Sequence, residues 1–401
     1  MNVVSKIEAG SETVDRTPAE RMKRVAEVAA QHVDTVDREG RFPAETIEAL
    51  KRERLLGVAI PAEHGGEGLG TMQIADLIVQ LAQACGSSAM IYAMHQIKTS
   101  SFVTHGGASD WHLAYMRRIA DEQLLMASAT TEAGIGGNLR NSICAVEVAD
   151  GRFALTKEAT VISYGNYADA ILATARRAPD AASSDQVMVV IPADENRTIE
   201  RTSVWDTLGM RGTCSDGFHL VAKGDAAQVF PKPFSEIAAQ SMLASSHIFW
   251  AATWFGIAAD AFNRAQAFVK AAARKQTDGS LPPGALRLAE GAALLQEMKG
   301  HLTAAIHRFD AAKGDDDVLS SIGFAAEINA LKVAASEKAG AVVRIAMLVN
   351  GILGYKNGTP FSVGRHLRDV TSAPVMISND RILSNTATLM LMSRFDTGLG
   401  G

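Results

Sequence analysis

Three features of this 401-residue chain carry residue types suited to chemistry. The first is Thr130-Thr131-Glu132-Ala133-Gly134-Ile135-Gly136-Gly137, two hydroxyls followed by a glycine-rich run. Glycines there let backbone amides approach a phosphate closely, and the hydroxyls offer hydrogen bonds to a polar ring edge; an ordinary β-turn is the competing reading. The second is Asp315-Asp316-Asp317, which has the charge for a metal ion but equally suits the positive end of a helix. The third is a set of three cysteines, Cys85, Cys144 and Cys214, too far apart for a CxxC pair and odd in number. They read as reduced thiols, with no disulfide framework and no zinc signature.

The elements that must position these residues fall into three regions, 1–122, 123–232 and 233–401. The first reads as helical: Thr17-Pro18-Ala19-Glu20 is a capping box with proline at the first helical position, followed by a stripe of Met22, Val25, Ala29 and Val33. Helical spacing returns after Pro43 and again over 72–85, on either side of the loop Gly65-Gly66-Glu67-Gly68-Leu69-Gly70. In the second region short β-rich runs take over, at 153–155, 160–163, 170–175, 187–191 and 218–221, predicting a small antiparallel β-domain or barrel. The third region returns to long Ala-rich helical periods over 237–275, 283–313, 325–349 and 367–394, the pattern of an up-and-down four-helix bundle.

Composition narrows the function classes. A net charge of −5, a pI near 6.1 and 6% aromatic residues give no basis for nucleic-acid binding or for an anionic membrane surface. The most apolar stretch, 248–259, has about 12 residues where a spanning helix needs about 20, so no membrane span is expected. The opening MNVVSKIEAGSETVDR lacks an apolar secretory core, and a cytoplasmic location is the expectation.

Four further matches identify a family. Leu56-Gly57-Val58-Ala59-Ile60-Pro61 with its glycine loop, Thr131–Asn138, Leu208-Gly209-Met210-Arg211-Gly212-Thr213 and Arg365-His366-Leu367-Arg368-Asp369 stand in the order found in the acyl-CoA dehydrogenases, which the chain resembles from about residue 20 to 395. The resemblance implies a helical N-terminal domain, a middle β-domain and a C-terminal four-helix bundle. It implies FAD between β-domain and bundle, an acyl-CoA or other small organic substrate, an electron-transfer partner and a homotetramer. It places Ser128, Thr130, Thr131, Gly136, Gly137 and Ser163 at the flavin, Ser163 as a hydroxyl facing N5. Arg274 aligns with an arginine that reaches the FAD pyrophosphate of a neighbouring subunit, and Gly354 with a glycine turn under the adenine side.

The family's catalytic glutamate is missing. Eight residues beyond the Arg-Asp pair stands Ile377, or Met376 if the register follows Asn379-Asp380. The alternative site on the first bundle helix holds Ser246-His247. Candidate replacements are Asp380, His95 on a helix lining the substrate side, and His247; each is also readable as a structural residue. Cys85-Gly86-Ser87-Ser88 leading to His95, and Trp205-Asp206 before the Gly-Met-Arg-Gly-Thr turn, resemble the family's flavin-dependent monooxygenase branch, which takes reduced flavin from a partner reductase. The leading expectation is a dehydrogenase-like oxidoreductase without the usual base. The alternatives are a monooxygenase, with FMN in place of FAD, and a non-catalytic flavin-binding relative.

Overall fold

The computed structural model describes residues 16–135, 138–276 and 279–392, together with 394 and 398. Helix α1 (Pro18–Glu39) starts on the expected capping box: Thr17 Oγ1 accepts from Glu20 N at 3.3 Å, and Glu20 Oε2 accepts from Thr17 N at 2.8 Å. Helices α2 (Ala44–Arg52), α3 (Thr71–Ala84), α4 (Gly86–His105) and α5 (Asp110–Glu122) complete the first helical run. Among them α4 is buried on nearly every side, which explains its lack of an apolar stripe.

The middle of the chain forms the expected β-domain, built as two sheets that include one parallel strand pair. Strands β1 (Met126–Ala129), β4 (Ala170–Arg176) and β5 (Gln186–Pro192) make one, with β1 parallel to β4. Strands β2 (Glu147–Ala149), β3 (Arg152–Ile162), β7 (Asp216–Asp225) and β6 (Arg197–Ser203) make the other, in the order β2-β3-β7-β6 and all antiparallel. The two runs expected at 153–155 and 160–163 belong to the single strand β3, which alternates buried and exposed residues.

The C-terminal bundle opens with the short α6 (Phe234–Ile237), a π-turn at Ala238–Met242 and the 31-residue α7 (Leu243–Ala273). Helices α8 (Ala285–Ala312), α9 (Asp316–Leu319), α10 (Ile322–Tyr355), α11 (Gly364–Thr371) and α12 (Asn379–Met392) follow. Asp315 caps α9 by accepting from Val318 N at 3.0 Å, and among the described residues no cluster of His, Cys, Asp or Glu could hold a metal ion. The single helix expected over 367–394 is instead α11, an irregular turn and α12. Pro374 and the left-handed Ile377 (φ 52°) break the helical path.

Two segments, Phe234–Ala273 and Ile322–Tyr355, are long and apolar enough to cross a membrane by length and composition, more than the 12-residue stretch seen in the sequence. The apolar window of the first is 78% buried inside the fold, as befits a core helix. One core joins Met22 of α1, Tyr92 of α4, Trp254 of α7 and Val343 of α10. A smaller cluster of Phe102, Tyr115, Met126 and Phe230 seals α4 and α5 against the β1 sheet.

Candidate functional site

Three separate sequence motifs meet where the β region docks on the bundle. Met210 N donates to Asp369 Oδ1 at 2.7 Å, and Gly212 N donates to Ser87 Oγ at 3.3 Å. A Cβ on Gly209 would lie 2.2 Å from the Arg368 carbonyl oxygen, so glycine is required for this approach. Asp369 is buried, and burial pushes its carboxyl up to about 6 despite the Met210 amide. Cys85 Sγ caps α4 by accepting from Ser88 N at 3.5 Å. The Cys-Gly-Ser-Ser and Gly-Met-Arg-Gly-Thr motifs therefore act first as an interlock between regions.

From that turn a chain of hydroxyls runs to Ser163. Thr213 Oγ1 donates to Met210 O at 2.9 Å, Thr213 and Ser215 share a bond of 2.9 Å, and Ser215 and Ser163 one of 2.8 Å. A carbonyl only accepts, so the Thr213 proton is committed to Met210, and each hydroxyl before it must donate inward. Ser163, half-buried, is left with its lone pairs outward. That arrangement suits a cofactor N–H better than a bare ring nitrogen.

Thr131, by contrast, is latched to β3: its Oγ1 donates to Val161 O at 3.0 Å and accepts from Val161 N at 3.3 Å. Thr130 and Ser128 are half-buried and their hydroxyls make no hydrogen bond to the described residues. Gly134 takes a φ of 89°, while Gly136 and Gly137 lie outside the described residues. Glu132, which the sequence reading passed over, pins this loop. It accepts from Cys144 N at 2.6 Å, Ile143 N at 3.0 Å and Ser142 Oγ at 2.8 Å, and pairs with the buried Lys157 at 3.2 Å. Burial raises the Glu132 carboxyl, but Lys157 and these donors outweigh it and hold the group below its ordinary value. A hollow of about 230 Å³ beside the loop is lined by Ala133, Ala159, Thr160 and Ser203. A larger open cleft of about 1390 Å³ lies away from this loop, between α1, α7 and the 357–368 segment.

On the bundle side, Met376 and Ile377, the positions that the resemblance aligns with the family's glutamate, lie on the turn between α11 and α12. Lys332 of α10, fully buried, donates to Ala373 O at 3.0 Å, Ile377 O at 2.6 Å and Asn379 Oδ1 at 2.7 Å, fixing that turn from beneath. Ile377 is 37% exposed and Met376 half-buried against the core. The indole N–H groups of Trp250 and Trp254, on α7 nearby, find no acceptor among the described residues.

The structure separates the three proposed bases. His95 is completely buried with both ring nitrogens committed: Nδ1 accepts from Met126 N at 3.1 Å, so Nε2 carries the proton and donates to Leu56 O at 2.7 Å. Burial lowers its pKa to about 4, and it ties the first helical run to β1 as a structural residue. Asp380 is exposed at the start of α12 and forms no ion pair with the described residues. His247 is buried, its Nδ1–H donating to Ile328 O at 3.0 Å, and burial lowers its pKa to about 4. Its Nε2 has no hydrogen-bond partner among the described residues.

Arg274 stands exposed at the end of α7, its guanidinium without an ion pair to the described residues. Gly354 is buried in α10, where a Cβ would meet Asn350 Cβ at 2.7 Å; the helical path breaks three residues earlier, at Gly351.

Comparison with known proteins agrees with this architecture. The acyl-CoA dehydrogenase N-terminal domain matches residues 17–148 and the acyl-CoA dehydrogenase C-terminal domain matches 237–382. A probable acyl-CoA dehydrogenase of Bacillus subtilis, YngJ, is 24% identical over 184 residues, 46% of this chain and 48% of that protein. L-evernosamine nitrososynthase of a Micromonospora species is 28% identical over 197 residues, 47% of this chain and 45% of its own. The chain thus spans about half the length of the curated relatives it matches. Among solved structures, FMN-bound TdsC from Paenibacillus has a TM-score of 0.80 at 18% identity, covering 94% of this chain and 98% of that one. Butyryl-CoA dehydrogenase from Megasphaera elsdenii has a TM-score of 0.75 at 18% identity, covering 94% and 100%.

The chain belongs to the acyl-CoA dehydrogenase family, a family of flavoprotein oxidoreductases whose cofactor is FAD. The chemistry of the residues present fits a flavin: the Ser128 and Thr130 hydroxyls have no hydrogen-bond partner among the described residues, and Ser163 has lone pairs free to accept. When bound, a flavin supplies hydride acceptance or, once reduced, electrons for oxygen.

Proposed function

We propose that this chain is a flavin-dependent monooxygenase that uses reduced flavin and oxygen to oxidise a small organic substrate, rather than an α,β-dehydrogenase of acyl thioesters. One observation carries the reading: the turn that would hold the dehydrogenase glutamate presents Met376 and Ile377 instead. Removing a carbon-bound α-proton needs a base within hydrogen-bond reach, and a positioned base contributes about 10²–10⁴-fold. His95 has spent both nitrogens on backbone, and Asp380 is exposed to solvent. Oxygen-dependent oxidation needs no such carboxylate. The nitrososynthase relative, 28% identical, supports the reading, since its named reaction is not a thioester dehydrogenation.

A second reading keeps acyl-thioester dehydrogenation with His247 as base, favoured by its unpartnered Nε2 and its place beside the family's alternative glutamate position. A non-catalytic relative is disfavoured by the hydroxyls of Ser128 and Thr130, which have no hydrogen-bond partner among the described residues. The monooxygenase reading brings FMN as an alternative cofactor and a flavin reductase as partner. A homotetramer would cover Leu348, Ile352 and Tyr355, which stand 61%, 66% and 73% exposed on α10, and would give Arg274 a neighbouring cofactor to reach.

The test is oxygen uptake with a separate reductase supplying reduced flavin to the full chain across a panel of amines, aromatics and acyl thioesters. The proposal expects product formation that requires both reductase and oxygen. Turnover of an acyl-CoA with an artificial electron acceptor and no oxygen would contradict it and favour His247.

A further inference from the structure

Helix α4 carries a polar stripe at the spacing i, i+3, i+7: Lys98, Ser101 and His105, which are 6%, 0% and 3% exposed. It faces the π-turn at 238–242 that opens the bundle. His105 Nε2 meets Ser241 Oγ at 3.1 Å, and Ser241 Oγ donates to Ile237 O at 2.9 Å. Lys98 receives nothing comparable. Its single hydrogen-bond acceptor among the described residues is the Met242 thioether sulfur, at 3.7 Å, a weak acceptor.

A buried ammonium without an oxygen acceptor or a counter-ion is costly, and such groups are normally paired or neutralised. Burial alone lowers the Lys98 pKa, to about 8, with no carboxylate close enough to oppose it. At neutral pH the group therefore remains mostly charged. His105, held neutral by burial, adds no charge to the stripe. The contrast with the chain's other buried lysines is direct. Lys157 has Glu132 and Thr174 O, and Lys332 has three oxygen acceptors.

Lys98 is connected to both sides of the candidate site through its neighbours. It is one helical turn beyond His95, whose ring holds the Met126 amide at the start of β1, the strand bearing Ser128. Met242, its other neighbour, leads directly into the α7 segment that carries His247. Helical π-turns recur at functional sites because they widen the local path and displace side chains.

We propose that Lys98 anchors a carboxylate carried by the organic substrate, in the seam between α4 and the π-turn. This rests on the reading that the chain acts on a small organic molecule, and it specifies that molecule as an acid. The carboxylate supplies the acceptor oxygens that the seam lacks, while the Met242 thioether offers apolar contact to the attached carbon chain.

The experiment is calorimetric titration of the flavin-loaded full chain with hexanoate, hexanamide and inorganic sulfate at matched ionic strength, in wild type, Lys98→Met and Lys98→Gln. Wild type should bind hexanoate and not hexanamide. Both variants should bind hexanoate at least tenfold more weakly, as expected for one lost charge-assisted hydrogen bond. Lys98→Met should also raise the melting temperature without ligand, because it removes an uncompensated buried charge. Equal hexanoate binding in wild type and variants would overturn the proposal, as would equal binding of acid and amide. Sulfate binding as tightly as hexanoate would overturn it too, by showing a general anion site. The readout needs no turnover, so failure of the oxygen assay with Lys98-dependent hexanoate binding intact would sink the monooxygenase reading alone.

Discussion

Ser163 donates its hydroxyl proton to Ser215 across 2.8 Å, a direction set two residues further in, where Thr213 gives its own proton to Met210 O. If Ser163 faces the flavin as proposed, its hydroxyl is an acceptor toward the cofactor. Ser215→Ala frees the Ser163 proton to turn outward, where it favours a bare ring nitrogen over an N–H. The midpoint potential of bound flavin should fall by about 20 mV, the equivalent of one ordinary hydrogen bond. Potentiometric titration decides it; a potential unmoved in both Ser215→Ala and Ser163→Ala would remove Ser163 from the flavin.

Acid should unfold this protein early. His95 and His247 are both buried with pKa values lowered to about 4, against about 6.5 unfolded. Between those values the unfolded chain binds more protons, so their stabilising contribution is present above pH 6.5 and lost as pH falls toward 4. Each contributes about 3 kcal/mol at the end of that window. Melting temperatures taken from pH 7 to 4 should drop steeply, and His95→Gln should flatten part of the slope. An unchanged slope would mean that His95 is not neutral in the fold.

Much of this was legible because it is local. The Thr17–Glu20 box and the helical stripe after it are set by residues near in sequence, and they stand where the periodicities put them. Strands β1, β2 and β6 were missed: β1 is only four residues long, and β6, Arg197–Ser203, is an edge strand whose single apolar residue is Ile199. The parallel pairing of β1 with β4 is a long-range choice that no local pattern encodes. At the site, Glu132 and Lys157 were overlooked although a signal existed. Lys157 occupies the inward register of β3 with Phe153, Leu155 and Ala159, and a lysine on an apolar strand face requires a buried partner. Lys332 and Lys98 carried no such sign, since both sit on helices buried on several faces.

The interlock of motifs makes a mechanical prediction. In Gly209→Ala the new methyl would stand 2.2 Å from Arg368 O, and the β region must back away from α11. Overpacking of this kind costs about 1–3 kcal/mol. Gly107→Ala, where a Cβ meets nothing within 4 Å, is the control and should shift the melting temperature far less. Equal shifts would show that the Met210–Asp369 contact is loose in solution.

Ile377 is a β-branched residue in a left-handed conformation, with φ 52°, on the turn that Lys332 fixes. A position on this turn aims its side chain by turn geometry, and the helical register inferred from Arg368-Asp369 does not reach it. Asparagine tolerates that conformation well, so Ile377→Asn should stabilise the protein by about 1 kcal/mol in chemical denaturation. A loss of stability would mean that the 37%-exposed side chain contributes more than its backbone costs.

On the monooxygenase reading, oxidation does not start with any base, carboxylate or imidazole, taking a proton from an acyl thioester. Anaerobic mixing of the flavin-loaded protein with short, medium and aromatic acyl-CoA esters, followed by absorbance at the flavin bands, tests it most directly. The flavin should stay unbleached with every thioester, while a reductase or dithionite bleaches it fully. Rapid bleaching by any one thioester, abolished in His247→Ala, would contradict it.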